Sequence, residues 1–112
     1  AFNRTKGKRI ASRISKAADS WSRSRGLLGR EGLASDEGLW IVPCPMIHTF
    51  FMRFPIDAVF LDERFKALRV LRNMRPWRLS PWVMRARSVL ELAAGASRDI
   101  QPGDELEFGR AS

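Results

Sequence analysis

Apolar residues crowd most densely over residues 40–62, where only a few polar side chains interrupt them. Within that stretch, residues 56–61 are apolar on both parities, as expected of a strand covered on both faces, with Asp57 as the one exception. Upstream, residues 39–42 predict a strand that Pro43 and Pro45 break around Cys44, because neither proline can donate to a ladder. Residues 48–53 predict the next strand, and Phe54-Pro55 a tight connection into 56–61. Asp62-Glu63-Arg64 then reads as a turn and 65–71 as a further strand, which together make an antiparallel meander.

The flanks carry weaker patterns. Residues 1–8 are polar, basic and aperiodic, and predict a mobile tail without core duty, leaving 9–108 as a single β-sandwich domain. Residues 9–18 read as an edge strand, since Ile10, Ile14 and Ala18 share one parity, although Ile10 and Ile14 also fit a helical spacing. Asp19 or Ser20 can cap a short helix through Trp21 and Arg25 that stops at Gly26, with Leu27 and Leu28 plugging its end into the core. Residues 31–38 have loop chemistry. Residues 73–87 hold Pro76, Trp77, Pro81 and Trp82 among four arginines, and predict an irregular loop long enough to be either functional or mobile. Residues 89–93 alternate as a strand that Gly95 ends, Pro102-Gly103 marks a turn, and Leu106 and Phe108 place a last short strand on the core. The sum is an all-β sandwich of about eight short strands with one short helix.

Length and composition narrow the chemistry. A chain of 112 residues can bury roughly 65% of its unfolded surface without a metal or a disulfide. One cysteine and one histidine exclude a disulfide framework and make Cys- or His-based metal sites poor, so no metal or other cofactor is expected. The apolar runs fall far short of the ~20 residues of a transmembrane helix, and no secretory leader opens the chain. A soluble, cytoplasmic protein is the expectation. Because the first residue is not Met, a leader removed beforehand is compatible with it. The net charge of +8 is uneven: residues 1–30 carry nine Lys or Arg against Asp19, and 63–88 carry eight against Glu63, while the remainder is net acidic. Such segments serve solubility, and they also draw a polyanion or an anionic membrane surface.

Several residues are candidates for chemistry. A carboxylate on a buried strand costs several kcal/mol unless it is hydrogen-bonded or paired. Asp57 therefore needs partners: backbone N–H groups pinning the Phe54-Pro55 turn, or Arg25, Arg30 and Arg53. The functional alternative is a ligand anchor or general base tuned by burial. His48 shares a parity with Phe50 and Met52 and sits beside Thr49, at the inner rim of the sandwich. Cys44 lies four residues away and could form a nucleophilic pair with it. No Gly-x-Ser-x-Gly elbow supports a serine hydrolase. The stretch Arg75-Pro-Trp-Arg-Leu-Ser-Pro-Trp82 interleaves planar cations with indoles, a combination that holds phosphates and stacks on bases or sugars, against the plainer expectation that the tryptophans fold back onto the core. Glu91 alternates outward from Leu90 and Leu92 and could pair with an arginine of that loop, while Asp104 reads as a turn residue.

Three blocks of sequence also carry a resemblance. Arg25-Gly-Leu-Leu-Gly-Arg30, Ile47-His-Thr-Phe-Phe-Met-Arg-Phe-Pro-Ile-Asp57 with Val59-Phe-Leu-Asp62, and Val89-Leu-Glu-Leu-Ala-Ala-Gly95 followed by Gly103-Asp104 resemble the domain of unknown function 192 family over roughly residues 10–108. The chain departs from the family's pattern at Phe51, where a small residue commonly precedes the methionine. The resemblance implies an all-β, jelly-roll-like sandwich with a short helix, of the kind found in small bacterial and archaeal proteins, and implies no assigned activity. On the residues themselves, the expectation is a binding or accessory module rather than an enzyme. Its cleft would lie beside His48, Thr49, Arg53 and Asp57, overhung by Arg75 and Trp77, and would take a small anionic or carbohydrate-like ligand. The alternatives are polyanion or nucleic-acid contact through segments 1–30 and 63–88, and a small hydrolase using Asp57 or a Cys44–His48 pair. Homodimerisation through an edge strand is compatible with the pattern, and nothing in the sequence selects an oligomeric state.

Overall fold

The computed structural model describes residues 1–17, 32–42, 47, 49 and 53–108. Among these residues there are eight strands, β1 (Phe2–Asn3), β2 (Lys8–Arg9), β3 (Arg13–Ala17), β4 (Glu37–Ile41), β5 (Ile56–Leu61), β6 (Ala67–Met74), β7 (Ser88–Ala93) and β8 (Leu106–Glu107), and no helix. They form a five-stranded sheet in the order β3-β4-β7-β5-β6 and a three-stranded sheet in the order β2-β1-β8. The fold is all-β and two-layered, as the patterning implies. The helix expected after Asp19, with Gly26, Leu27 and Leu28, lies outside the described residues.

The interior strand β5, between β7 and β6, is buried at every position because both of its faces are covered. Ile56, Ala58 and Phe60 point to one side, where Leu39, Ile41, Met74 and Val89 join Ile47, Phe54 and Val83 from the connecting segments. Val59 and Leu61 point to the other, packing with Leu90, Leu92, Ile100, Ile10 and Leu106 beneath the small sheet. Truncating a side chain as buried as Phe60 costs on the order of 3–5 kcal/mol. Near the start of β4, Gly38 lets the neighbouring strands close up: a Cβ there would meet Ile14 Cδ1 at 2.8 Å and Leu92 Cδ2 at 3.0 Å. Trp40, Phe65 and Phe108 close one end of the second layer as a ring cluster with centroids 4.8–5.7 Å apart.

The topology departs from a simple meander. β5 and β6 are antiparallel neighbours, but β7 returns from far along the chain to lie between β4 and β5. The pair β3–β4 is parallel, joined by a long crossover, and it puts β3 on the edge as expected. Residues 1–8, expected to have no core duty, supply β1 and the start of β2. Their Asn3 is fully buried and donates to Asp99 O and to Asp104 Oδ2, both at 2.9 Å. Polar composition misleads there because the buried polar atoms satisfy one another. Of the strand expected over 48–53, Thr49 and Arg53 are described and neither lies in a strand, while β6 runs on to Met74 into the region expected as loop.

Candidate functional site

Asp57 stands opposite an irregularity in the β5–β6 ladder. Ile56 pairs with Met74 and Ala58 with Leu71, so two residues, Arg72 and Asn73, oppose Asp57 alone. Asn73 takes a left-handed backbone (φ 54), and its N–H donates to Asp57 Oδ1 at 2.8 Å. On the other side the chain leaves β7 through Gly95, at φ 92. The N–H groups of Gly95 and Ser97 donate to Asp57 Oδ2 at 3.0 Å each, and the Ser97 hydroxyl donates to the same oxygen at 2.6 Å. The carboxylate is 0% exposed. Four donors occupy most of what a carboxylate can accept, and no face of it meets solvent.

Asp57 is thus a buried fastener that ties the β6 bulge to the turn after β7. Its partners are main-chain N–H groups, as one expectation had it, and one serine, but they come from the β6 bulge and the 95–97 turn instead of the Phe54-Pro55 turn. Arg53 is exposed. Arg25 and Arg30 lie outside the described residues. Arg72 secures the same turn by donating to the carbonyls of Ser97 and Ile100.

Thr49 is also fully buried, and its polar atoms serve the loop that follows β6. Its hydroxyl donates to Arg75 O at 2.6 Å and accepts from Arg78 N at 2.9 Å. Its main chain donates to Arg78 O at 2.8 Å and accepts from Trp77 N at 2.9 Å. Two residues earlier, Ile47 N donates to Ser80 Oγ and Ser80 N to Ile47 O, each at 2.9 Å. The segment around 47–49 therefore straps down the start of the 75–87 loop. Arg87 N donates to Leu61 O at 2.8 Å and fastens the loop's far end.

This strap decides which loop side chains face water. Ser80 and Val83 turn inward, whereas Trp77, Leu79, Trp82 and Met84 are 55%, 58%, 66% and 77% exposed. The expectation that the tryptophans fold back onto the core is overturned. Trp77 and Arg85 both hold left-handed backbone, at φ 64 and 71, a conformation that costs a residue with a Cβ on the order of 1–2 kcal/mol. Such strain persists only where neighbouring bonds impose it, as the Thr49 strap does at Trp77. Arg75, Arg78, Arg85 and Arg87 are all exposed. Arg87 comes within 4.0 Å of Glu63, with both side chains largely in solvent.

Of the residues expected to share one cleft, the structure joins Thr49 to Arg75 and Trp77 through the strap. Asp57 is sealed at the β6 bulge and the 95–97 turn. His48 and Cys44 lie outside the described residues. Glu91, expected on the surface, is 4% exposed, between Ala58 and Leu39 of the neighbouring strands. Both faces of β7 are covered, so alternation along it no longer separates inside from outside.

Asp104 is the second buried carboxylate. Its Oδ2 accepts from Asn3 Nδ2 at 2.9 Å, from Gln101 N at 3.0 Å and from Lys6 Nζ at 3.0 Å. Burial, the largest single influence, pushes its carboxyl up, but the bonds from Asn3 and Gln101 and the Lys6 ammonium together outweigh it and hold it below its ordinary value. On the exposed side, the Arg13 guanidinium makes a two-pronged contact with Asp36 that lowers the Asp36 carboxyl and raises Arg13. Sequence reasoning reached Asp104 as a turn residue and missed Asn3, Lys6, Asn73 and Ser97. The weak signals for them were a glycine two residues before Ser97 and an acid just after Pro102-Gly103.

Comparison with known proteins places this architecture. A UPF0127 protein of Pyrococcus horikoshii is 38% identical over 64 residues, which is 55% of this chain and 55% of that one. The chain thus spans about half the length of that relative. A UPF0127 protein of Thermococcus sibiricus is 30% identical over 114 residues, covering 96% of this chain and 73% of its own. A crystal structure of a protein of unknown function from Novosphingobium aromaticivorans superposes with a TM-score of 0.76 at 23% identity, covering 85% of this chain and 74% of that one, and shows the shared fold. The sequence model of the DUF192 family, described as "Uncharacterized ACR", matches residues 1–108, and the chain belongs to that family.

Proposed function

We propose that the protein is a non-enzymatic binding module that takes hold of an anionic group with a polar, phosphate- or carbohydrate-like body on its 75–87 loop. One observation carries this reading: exposed guanidiniums alternate with exposed indoles on a segment held in strained conformation by a buried threonine. Guanidinium planes bind phosphate and carboxylate by paired N–H donors, and indole faces stack on sugars or bases. The ligand-contacting set in this reading is Arg75, Trp77, Arg78 and Trp82, with Arg53 and His48 as neighbours from the sequence pattern. Thr49 acts as the positioning residue. A hydrolase built on Asp57 is disfavoured, because a carboxylate with four donors and no exposed face does not come within reach of a substrate.

Titration calorimetry tests this with inorganic phosphate, acidic oligosaccharides and a short single-stranded oligonucleotide against the unaltered chain and Arg75→Ala. Heat for an anionic class that weakens in Arg75→Ala is the expected result. Silence toward all three classes would defeat the reading. An oligonucleotide that binds with a steep inverse dependence on salt would select the polyanion alternative.

A further inference from the structure

The exposed side chains of this loop include two that a soluble anion does not need. Leu79 and Met84 are 58% and 77% exposed, the latter more than either tryptophan. Neither donates a hydrogen bond or presents a π-face, so neither recompenses contact with a phosphate, sugar or base. Both gain only when taken out of water. Of the five large apolar side chains most exposed among the described residues, four are on this loop: Trp77, Leu79, Trp82 and Met84.

Their setting specifies the medium. Arg75 and Arg78 precede the stretch from Leu79 to Met84, and Arg85 and Arg87 follow it. From Arg64 to Leu90 the chain has eight Lys or Arg and no Asp or Glu. Exposed apolar side chains flanked along the chain by exposed cations on either side match the boundary of an anionic bilayer, where indoles sit at headgroup depth, aliphatic ends reach the acyl region and guanidiniums pair with lipid phosphates. A nucleic acid would satisfy the arginines and the indoles and leave Leu79 and Met84 in water.

We infer that the 75–87 loop seats on an anionic lipid surface, with Leu79, Trp82 and Met84 entering the interface and Arg75, Arg78, Arg85 and Arg87 holding headgroup phosphates. This rests on the preceding reading of the loop as an anion-binding surface and names its partner. Among the described residues no helix is long and apolar enough to cross a membrane, and the loop itself supplies a shallow anchor.

The test is sedimentation with phosphatidylcholine vesicles, with and without phosphatidylglycerol, while tryptophan emission is recorded. The expected result is binding that requires phosphatidylglycerol and shifts the emission to the blue. Each single Arg→Ala change at 75, 78 or 85 should weaken it about fivefold at low salt, and Trp82→Ser combined with Met84→Ser by more than about tenfold. These side chains are exposed, so folding is not at risk in the variants, and circular dichroism checks it. Vesicle binding without a blue shift, indifferent to the Trp82→Ser and Met84→Ser pair and matched by a soluble oligonucleotide, would overturn the lipid inference and leave the anion-binding surface standing. Equal binding to pure phosphatidylcholine would overturn the role of the arginines. Absence of binding to vesicles and to every soluble anion would overturn both.

Discussion

Thr49 and Arg78 exchange hydrogen bonds: Thr49 N donates to Arg78 O at 2.8 Å, and Arg78 N donates back to the Thr49 hydroxyl at 2.9 Å. The same hydroxyl donates onward to Arg75 O. One side chain inside the fold thereby fixes the conformation of a surface loop. Thr49→Val removes the hydroxyl at nearly constant volume and leaves the Arg78 N–H and the Arg75 carbonyl without it. Urea unfolding should show a loss of about 2–3 kcal/mol, and trypsin should cut after Arg78, which Leu79 follows, faster than in the unaltered chain. Thr49→Ser, which keeps the oxygen, should recover most of both.

The backbone strain at Trp77 can be separated from its ring. Trp77→Ala and Trp77→Gly both delete the indole, but only glycine adopts φ 64 without penalty. The glycine variant should be the more stable of the two by about 1 kcal/mol, which moves the Tm by roughly 4–8 °C for a chain of this size. At Trp82, whose φ is not positive, the same pair should show no such advantage. Both Trp77 variants should bind the anionic ligand less well and to a similar degree, so the stability difference between them reports the backbone and the shared loss of binding reports the ring.

Asp57 and Ser97 should be unequal in consequence although they share a hydrogen bond of 2.6 Å. Ser97→Ala removes one of four donors and leaves the carboxylate with three main-chain partners, a loss of about 1 kcal/mol. Asp57→Ala leaves the N–H groups of Asn73, Gly95 and Ser97 and the Ser97 hydroxyl without their acceptor. That should cost more than about 3 kcal/mol. Denaturant midpoints for the two variants decide it, and an Asp57→Ala protein as stable as Ser97→Ala would remove the fastener from this account.

These two residues also show what a sequence can disclose. Residues 56–61 were legible to the residue as a doubly covered strand, and Asp57 stood out as the polar exception, because side-chain type along a strand directly reports which faces are buried. Its partners were not legible. They are main-chain groups delivered by a bulge at Asn73 and a left-handed Gly95, and side-chain identity records such backbone geometry only weakly. Glu91 was misread for a related reason. Alternation reports one buried face, but the layer over its side of β7 comes from connecting segments with no periodicity. Residues 1–8 looked unable to join a core because each polar group was counted alone, whereas Asn3 and Asp104 are buried against each other and Lys6 reaches the carboxylate from the surface. The composition of the 75–87 loop was plain, but its outward-facing indoles depend on the Thr49 strap, a contact across 26 to 29 positions.

The Asn3–Lys6–Asp104 set makes stability depend on pH in one direction. The Asp104 carboxyl is held below its ordinary value of 3.8 in the folded protein. The unfolded chain therefore takes up a proton first as the solution is acidified. The contribution of Asp104 is complete above the ordinary value and is lost as pH falls through the lowered one. Asp36 is lowered as well, and its loss on acidification has the same sign, but the Arg13–Asp36 contact is half or more exposed and salt screens it. Thermal unfolding between neutral pH and the acid limb should show a fall in Tm that is shallower in Asp104→Asn, which lowers stability at neutral pH and has no carboxyl to protonate. High salt should flatten the part due to Asp36 and leave most of the difference between the parent and Asp104→Asn, because the bonds from Asn3 and Gln101 are shielded from solvent ions. If Asp104→Asn follows the parent curve in parallel down to the acid limb, the Asn3–Lys6–Asp104 set is not what couples the amino-terminal hairpin to the rest of the fold.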